Sequence, residues 1–190
     1  MRVNLPITDI EYPIDEDTLI VSTTDTKGRI TYVNPTFIEV SGFSQDELIG
    51  KAHNIVRHPD MPPQAFEDLW QTLKGGSTWT GLVKNRRKNG DFYWIRANAA
   101  PIKRNGQVTG YLSVRTKASQ KDIDAAIPIY RKFLEDKADN LKIQNGQVIR
   151  TDLTGEIMAW FKMGVNKQIN VSMSIFSFAI CDHWWHCSIF

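Results

Sequence analysis

Hydrophobic and polar positions alternate along TLIVSTTD (18–25), and the run is rich in β-branched residues, so it predicts a strand. RITYVN (29–34) repeats the pattern beyond Asp25–Gly28, whose turn chemistry predicts a hairpin. Pro35 then opens a short helix, PTFIEVSG, closed by Gly42. Ser44 and Glu47 supply a capping box for SQDELIG. Pro62 and Pro63 suit the first turn of a helix with an apolar stripe at Phe66, Leu69, Trp70 and Leu73, stopped by Gly75-Gly76. Three strand-like runs follow at 77–88, 91–103 and 107–117, parted by Asn89-Gly90 and Arg104-Asn105-Gly106. Two strands, short helices and a three-strand meander predict an α+β module. Its five strands join in one antiparallel sheet, the helices cover one face, and a cavity lies between.

Outside this module the pattern changes. Residues 1–17 are polar, punctuated by Pro6 and Pro13, and read as an N-terminal arm. After 118, SQKDIDAAIPIYRKFLED has an acidic start and basic later turns, which predicts a C-terminal helical extension despite Pro128. KIQNGQVIRTD reads as a small extended turn at Asn145-Gly146, TGEIMAWFKM as weakly amphipathic, and INVSMSIFSFAIC (169–181) as an apolar run. The expected organisation is an arm at 1–17, a core domain at 18–117, a helical linker at 118–164 and a short apolar tail at 165–190.

Composition narrows the function classes. The chain has 190 residues, 42% hydrophobic and 23% charged, with a net charge of +2, so no global field favours nucleic acid. The basic stretch Lys84, Arg86, Arg87 and Lys88 reads as an exposed hairpin rather than a nucleic-acid stripe. The two cysteines, Cys181 and Cys187, both lie in the last ten residues, so no disulfide framework holds the body. The N-terminus has no apolar core after a positive start, and a reducing cytosolic setting is the expectation.

The chemistry concentrates in residues 50–94. Asn54, Arg57, His58, Asp60, Trp70, Trp79 and Asn85 are groups that must find partners if buried, and together they predict a polar-lined pocket. In the tail, CDHWWHC holds zinc-ligand residue types, but His186 and Cys187 are adjacent and the spacing does not suit a metal site. No G-x-G-x-x-G follows a strand and no P-loop occurs, so no nicotinamide or nucleotide-hydrolysing site is expected. No nucleophile–base pair is evident, and the chain does not read as an enzyme.

NPTFIEVSGFSQDELIGK resembles the N/PAF-x-x-x-[ST]-G-[YF]-x-x-x-E-L-x-G signature of PAS sensor domains. HNIVRHPDMPPQAFEDLW, then WTGLVKNRRKNGDFYWIRAN, resembles more narrowly the PAS domain of bacterial aerotaxis receptors. The resemblance runs from about Thr18 to Lys117. It implies a PAS fold that binds FAD non-covalently and reports redox or oxygen status for aerotaxis, a form of chemotaxis. Carried onto this chain, the flavin-pocket positions are Asn34, Arg57, His58, Asp60, Trp70, Trp79 and Asn85.

An amide at Asn85 suits the carbonyls and ring nitrogens of an isoalloxazine edge. Trp79 or Trp70 can cover a flat ring, and Arg57 can pair a pyrophosphate with help from His58. Asp60 is expected to fix Arg57 or to cap the Pro62 helix. The related light-oxygen-voltage domains carry a photoactive Cys in G-x-N-C-R-F-L-Q. Aligning Gly50 puts His53 at that position, and Ile95 stands for their second flavin-edge Asn. No cysteine occurs in the domain, which excludes a cysteinyl–flavin photoadduct.

Two other readings of the same fold remain open: a haem PAS sensor with His53 or His58 as axial ligand, and a ligand-free PAS interaction module. The resemblance also implies a signalling partner, a PAS–PAS homodimer, and a cytoplasmic location at the inner face of the membrane. In such receptors a membrane anchor, a HAMP linker and a signalling coiled coil follow. Here Asp182 interrupts the apolar run after 13 residues, short of the ~20 that span a bilayer. The chain thus reads as a receptor truncated before its signalling module, its tail a remnant anchor flanked by Lys162 and Lys167.

Overall fold

Five antiparallel strands pair in the order β2-β1-β5-β4-β3, with β1 at Ile20–Thr24, β2 at Ile30–Val33, β3 at Trp79–Arg86, β4 at Phe92–Arg104 and β5 at Gln107–Lys117. The computed structural model describes residues 3–152. The amphipathic segment 154–163, the apolar run 169–181 and the cysteine–histidine tail lie outside the described residues. Among the described residues two compact units divide the chain: residues 3–139 with 143–148, and residues 140–142 with 149–152.

Between β2 and β3 come α1 (Pro35–Ser41), α2 (Gln45–Leu48), a 3-10 turn (His53–Val56) and α3 (Pro63–Lys74). The start of α1 is fixed by Asn34, whose side-chain oxygen accepts from Phe37 N and from Val21 N, both at 3.0 Å. Its amide donates to Leu19 O at 2.9 Å, so one residue ties the helix to the strand beside it. Gly42 closes α1 at φ 70, a left-handed conformation that glycine adopts without strain. The capping box at α2 forms as its residue spacing requires: Glu47 N donates to Ser44 Oγ, and Ser44 N to Glu47 Oε2.

Side chains alternate across the sheet, and the two faces carry different loads. Ile20, Val83, Ile95 and Ala97 are buried beneath Phe37, Val56 and Leu73 from the helical segment. On the opposite face lies α4 (Gln120–Leu134), the C-terminal extension. Its Tyr130 stacks on Trp94 and donates to Leu82 O at 2.9 Å. Trp94 and Ile95 are neighbours pointing to opposite faces, so α4 covers the face that the other helices leave bare.

Two segments are more ordered than their composition predicts. The arm runs parallel to the first residue of β4, with Tyr12 N on Phe92 O at 2.7 Å and Phe92 N on Ile10 O at 3.0 Å. Arg86 donates to Leu5 O and Pro6 O, and Arg87 lies 3.7 Å from the centroid of the Tyr12 ring. The Asn145-Gly146 turn joins β6 (Leu141–Gln144) to β7 (Gln147–Arg150) in a separate two-stranded hairpin.

Candidate functional site

A cavity of about 410 Å³ separates the sheet from the helical segment. Strand periodicity builds its floor: Val83 and Asn85 from β3, Ile95, Ala97 and Ala99 from β4, and Tyr111, Ser113 and Arg115 from β5. The 3-10 turn contributes His53 and Asn54, and α3 contributes Phe66, Leu69, Trp70 and Leu73. Lys27, Asn54 and Glu67 are both cavity-lining and exposed, so they form its rim. Trp70 meets Tyr111 edge to face at 5.4 Å and packs against Gly28, where a Cβ would be 2.9 Å from its ring.

The polar end of the cavity is a buried cation set against a neutral base. Arg115 is 4% exposed, and its Nη2 donates to Ser22 Oγ at 3.0 Å and to His53 Nε2 at 2.7 Å. A guanidinium only donates, so His53 Nε2 is the acceptor and the ring proton sits on Nδ1. Burial, and then the Arg115 charge, hold the His53 pKa down at about 3. Burial lowers Arg115 only to about 10, so it stays a cation at neutral pH. Among the described residues no carboxylate pairs with it, and its Nη1 has no hydrogen-bond partner. A buried charge in that state is costly unless an acceptor meets it.

Five of the nine residues singled out from the sequence line the cavity: His53, Asn54, Arg57, Trp70 and Asn85. Asn85 is buried beside Tyr93, its cross-strand neighbour, whose phenol is pushed up to about 12 by burial. Arg57 donates through Nη2 to Met61 O at 2.7 Å and lies 4.1 Å from the Phe66 ring centroid. Its guanidinium is therefore already anchored between loop and helix, rather than presented at the rim.

The other four stand elsewhere. Asn34 is committed to the β1–α1 junction. Trp79 donates through Nε1 to Asp68 Oδ2 at 2.7 Å and is 2% exposed. His58 is buried, its Nδ1 accepts from Asp60 N at 3.1 Å, and its ring meets Phe92 edge to face. Burial first, then the Lys84 charge, hold its pKa at about 4. The Asp60 carboxylate takes Lys84 Nζ at 2.6 Å, and Pro62, the residue capping α3, has no side-chain cap bond. For haem ligation the geometry is poor: the His53 Nε2 is engaged and His58 lies off the cavity. Among the described residues no three His, Cys, Asp or Glu side chains gather as a metal site, and no helix is long and apolar enough to cross a membrane.

Arg115 and Tyr111 are site residues that sequence reasoning missed. Their signal was present, since Tyr111, Ser113 and Arg115 alternate with outward positions, and an arginine at an inward strand position needs a reason.

The fold and the cavity define the class: residues 30–115 match the PAS fold family, and the chain carries a PAS domain. More particularly, the chain is 47% identical over 163 residues to the aerotaxis receptor of Escherichia coli K12, covering 84% of this chain and 32% of the receptor. It is 25% identical over 121 residues to a nitrogen fixation regulatory protein of Klebsiella pneumoniae, covering 63% of this chain and 23% of that protein. It thus spans about a third or less of the length of these relatives. Among solved structures, the dark state of the blue-light photoreceptor Aureochrome1 LOV superposes with a TM-score of 0.52 at 21% identity, covering 61% of this chain and 86% of that one. That likeness concerns the fold.

Proposed function

We propose that this chain is the sensory part of an aerotaxis-type receptor, binding FAD in the cavity and reporting redox or oxygen status. The observation that carries the reading is the polar end of the cavity. An anchored guanidinium, a neutral imidazole and the Asn85 amide face an otherwise apolar, aromatic-walled space. A flavin needs such a set, because its ring is flat and apolar while one edge carries carbonyls and ring nitrogens. The likeness to the aerotaxis receptor supports a sensory role for the domain, and FAD is the group that the family resemblance of the sequence implies.

A bound flavin supplies reversible redox chemistry in which charge and protonation change at that edge. Arg115 offers positive charge to an edge that becomes more negative. His53, held neutral, accepts from Arg115 and fixes the direction of the guanidinium. Asn85 can donate or accept, so it can follow a change in ring protonation, at a cost of about 1–3 kcal/mol when a buried bond is lost. Trp70 and Tyr111 close the apolar side against water. A shift of that size is enough to bias a two-state surface.

The domain at 18–117 would then act with the arm and the linker at 118–164, whose described part is helix α4 and the β6–β7 hairpin, as one reporting unit. It would pair with a second copy or a signalling partner on the cytoplasmic side of the membrane, with 165–190 as the membrane-proximal part. The reading is of a conformational reporter rather than a catalyst.

The test is the absorption spectrum of the purified full chain before and after dithionite. Bands near ~450 and ~370 nm that bleach, with FAD released on denaturation, are the expected result. A sharp band near ~400 nm would move the cavity to haem. A colourless chain that ignores added FAD would leave a PAS interaction module.

A further inference from the structure

Asp68 lies on α3 between residues that line the cavity, yet its own carboxylate is turned to the other side of the helix. Phe66, Glu67, Leu69 and Trp70 meet the cavity, whereas Asp68, 9% exposed, gathers three N–H donors. Trp79 Nε1 reaches Oδ2 at 2.7 Å from β3. Asn145 N reaches Oδ1 at 2.9 Å, and Gly146 N reaches Oδ2 at 2.7 Å, from the tip of the β6–β7 hairpin. Thr72, one turn further along α3, adds a hydroxyl bond to the Asn145 side chain at 3.3 Å.

The tip is shaped for this carboxylate. Asn145 and Gly146 both take left-handed conformations, at φ 52 and φ 79, which aim two successive N–H groups at one acceptor. Gly146 lies so close to Thr80 O that a Cβ there would overlap it. Two sequence-distant pieces, residues 68 and 145–146, therefore meet through charge-assisted bonds that need both the acid and the glycine.

We propose that Asp68 is a latch by which the cavity-lining helix holds the tip of the β6–β7 hairpin, and that a change in the cavity is passed through this latch to the hairpin. The physical argument is linkage. Helix α3 forms one wall of the cavity, so an occupant that fixes α3 also fixes the carboxylate and favours the docked hairpin. By reciprocity, a hairpin that cannot dock weakens the occupant's binding. This rests on the flavin reading above for the identity of the occupant, though not for the latch itself.

Gly146→Ala tests the latch from the hairpin side, leaving α3, Asp68 and the cavity wall unchanged, and Asp68→Asn tests it from the helix side. Hydrogen exchange of Asn145 and Gly146 is measured in the full chain, with and without saturating FAD. Protection in the wild-type chain that rises with FAD, and is lost in both variants, is the expected result. FAD affinity should fall on the order of 5-fold or more in Gly146→Ala, although the substitution touches no cavity residue. Unchanged affinity, or protection indifferent to FAD in a chain that demonstrably binds it, overturns the proposal. If the wild-type chain binds no FAD, the flavin reading fails by itself. Ala97→Leu, which fills the cavity with protein, then decides the latch: hairpin exchange must change, and an unchanged rate sinks it.

Discussion

Arg115 Nη2 donates to His53 Nε2 at 2.7 Å, and this bond joins a cation to a base that cannot take a proton without facing it. Burial above all, reinforced by the Arg115 charge at His53 and the Lys84 charge at His58, makes the folded chain resist protonation of both imidazoles, with pKa values held at about 3 and about 4, whereas both protonate near 6.5 when unfolded. Between pH 6.5 and those lower values the unfolded state binds more protons, so stability must fall as pH falls.

The expected outcome is a urea midpoint that drops steadily from pH 6.5 to pH 5, above the range where ordinary carboxylates titrate. His53→Gln keeps an acceptor for Arg115 and removes one titration, so the slope should become shallower. A wild-type midpoint that is flat over this window would contradict the suppressed protonation of the two imidazoles.

Asn34 makes three bonds at the β1–α1 junction, and its loss should read as stability. Asn34→Ala removes the helix cap and leaves Val21 N and Leu19 O without this partner, a cost of about 2 kcal/mol in equilibrium unfolding. Asn34→Asp keeps both acceptor contacts and loses only the donation to Leu19 O, so it should cost less. Equal losses in the two variants would mean that the cap contributes nothing.

The order of elements was legible because each local signal agreed with the fold. Turn chemistry at Asn89-Gly90 and Arg104-Asn105-Gly106, the Ser44–Glu47 box and the α3 stripe all mark boundaries that the structure repeats within a few residues. The arm was harder to read. Its polar, proline-marked composition hid backbone bonds to Phe92 and Gly90 that depend on partners 80 or more residues away. The site was half legible for a related reason. A tryptophan or histidine in a motif can face the cavity, as Trp70 does, or be consumed by a buried acid, as Trp79 is by Asp68. Only the path of the chain through space decides between them.

Gly110 is the close approach between β5 and β1. A Cβ there would overlap Thr24 O, a backbone atom that cannot move without opening the β1–β5 ladder. Gly110→Ala should cost on the order of 1–3 kcal/mol by overpacking and raise hydrogen exchange along Ile20–Thr24. A variant as stable as the wild type would mean that the two strands part freely at this point.

Arg115→Met separates the two roles of the buried cation. In the flavin-free chain the guanidinium has bonds to Ser22 and His53 but no opposite charge among the described residues, and replacing a buried ion of this kind by an apolar side chain of similar length is often neutral or stabilising. Unfolding of the flavin-free variant should therefore lie within about 1 kcal/mol of the wild type, with no gain in acid sensitivity. Flavin binding should move the other way. Loss of a charge-assisted bond to the ring edge predicts affinity lower by roughly 10-fold or more, and more so for the reduced, more negative form. The two forms are measured separately by equilibrium titration under air and under dithionite. A variant that unfolds far more readily without flavin, yet binds it as tightly as the wild type, would make Arg115 a structural residue and leave Asn85 as the candidate for the ring edge.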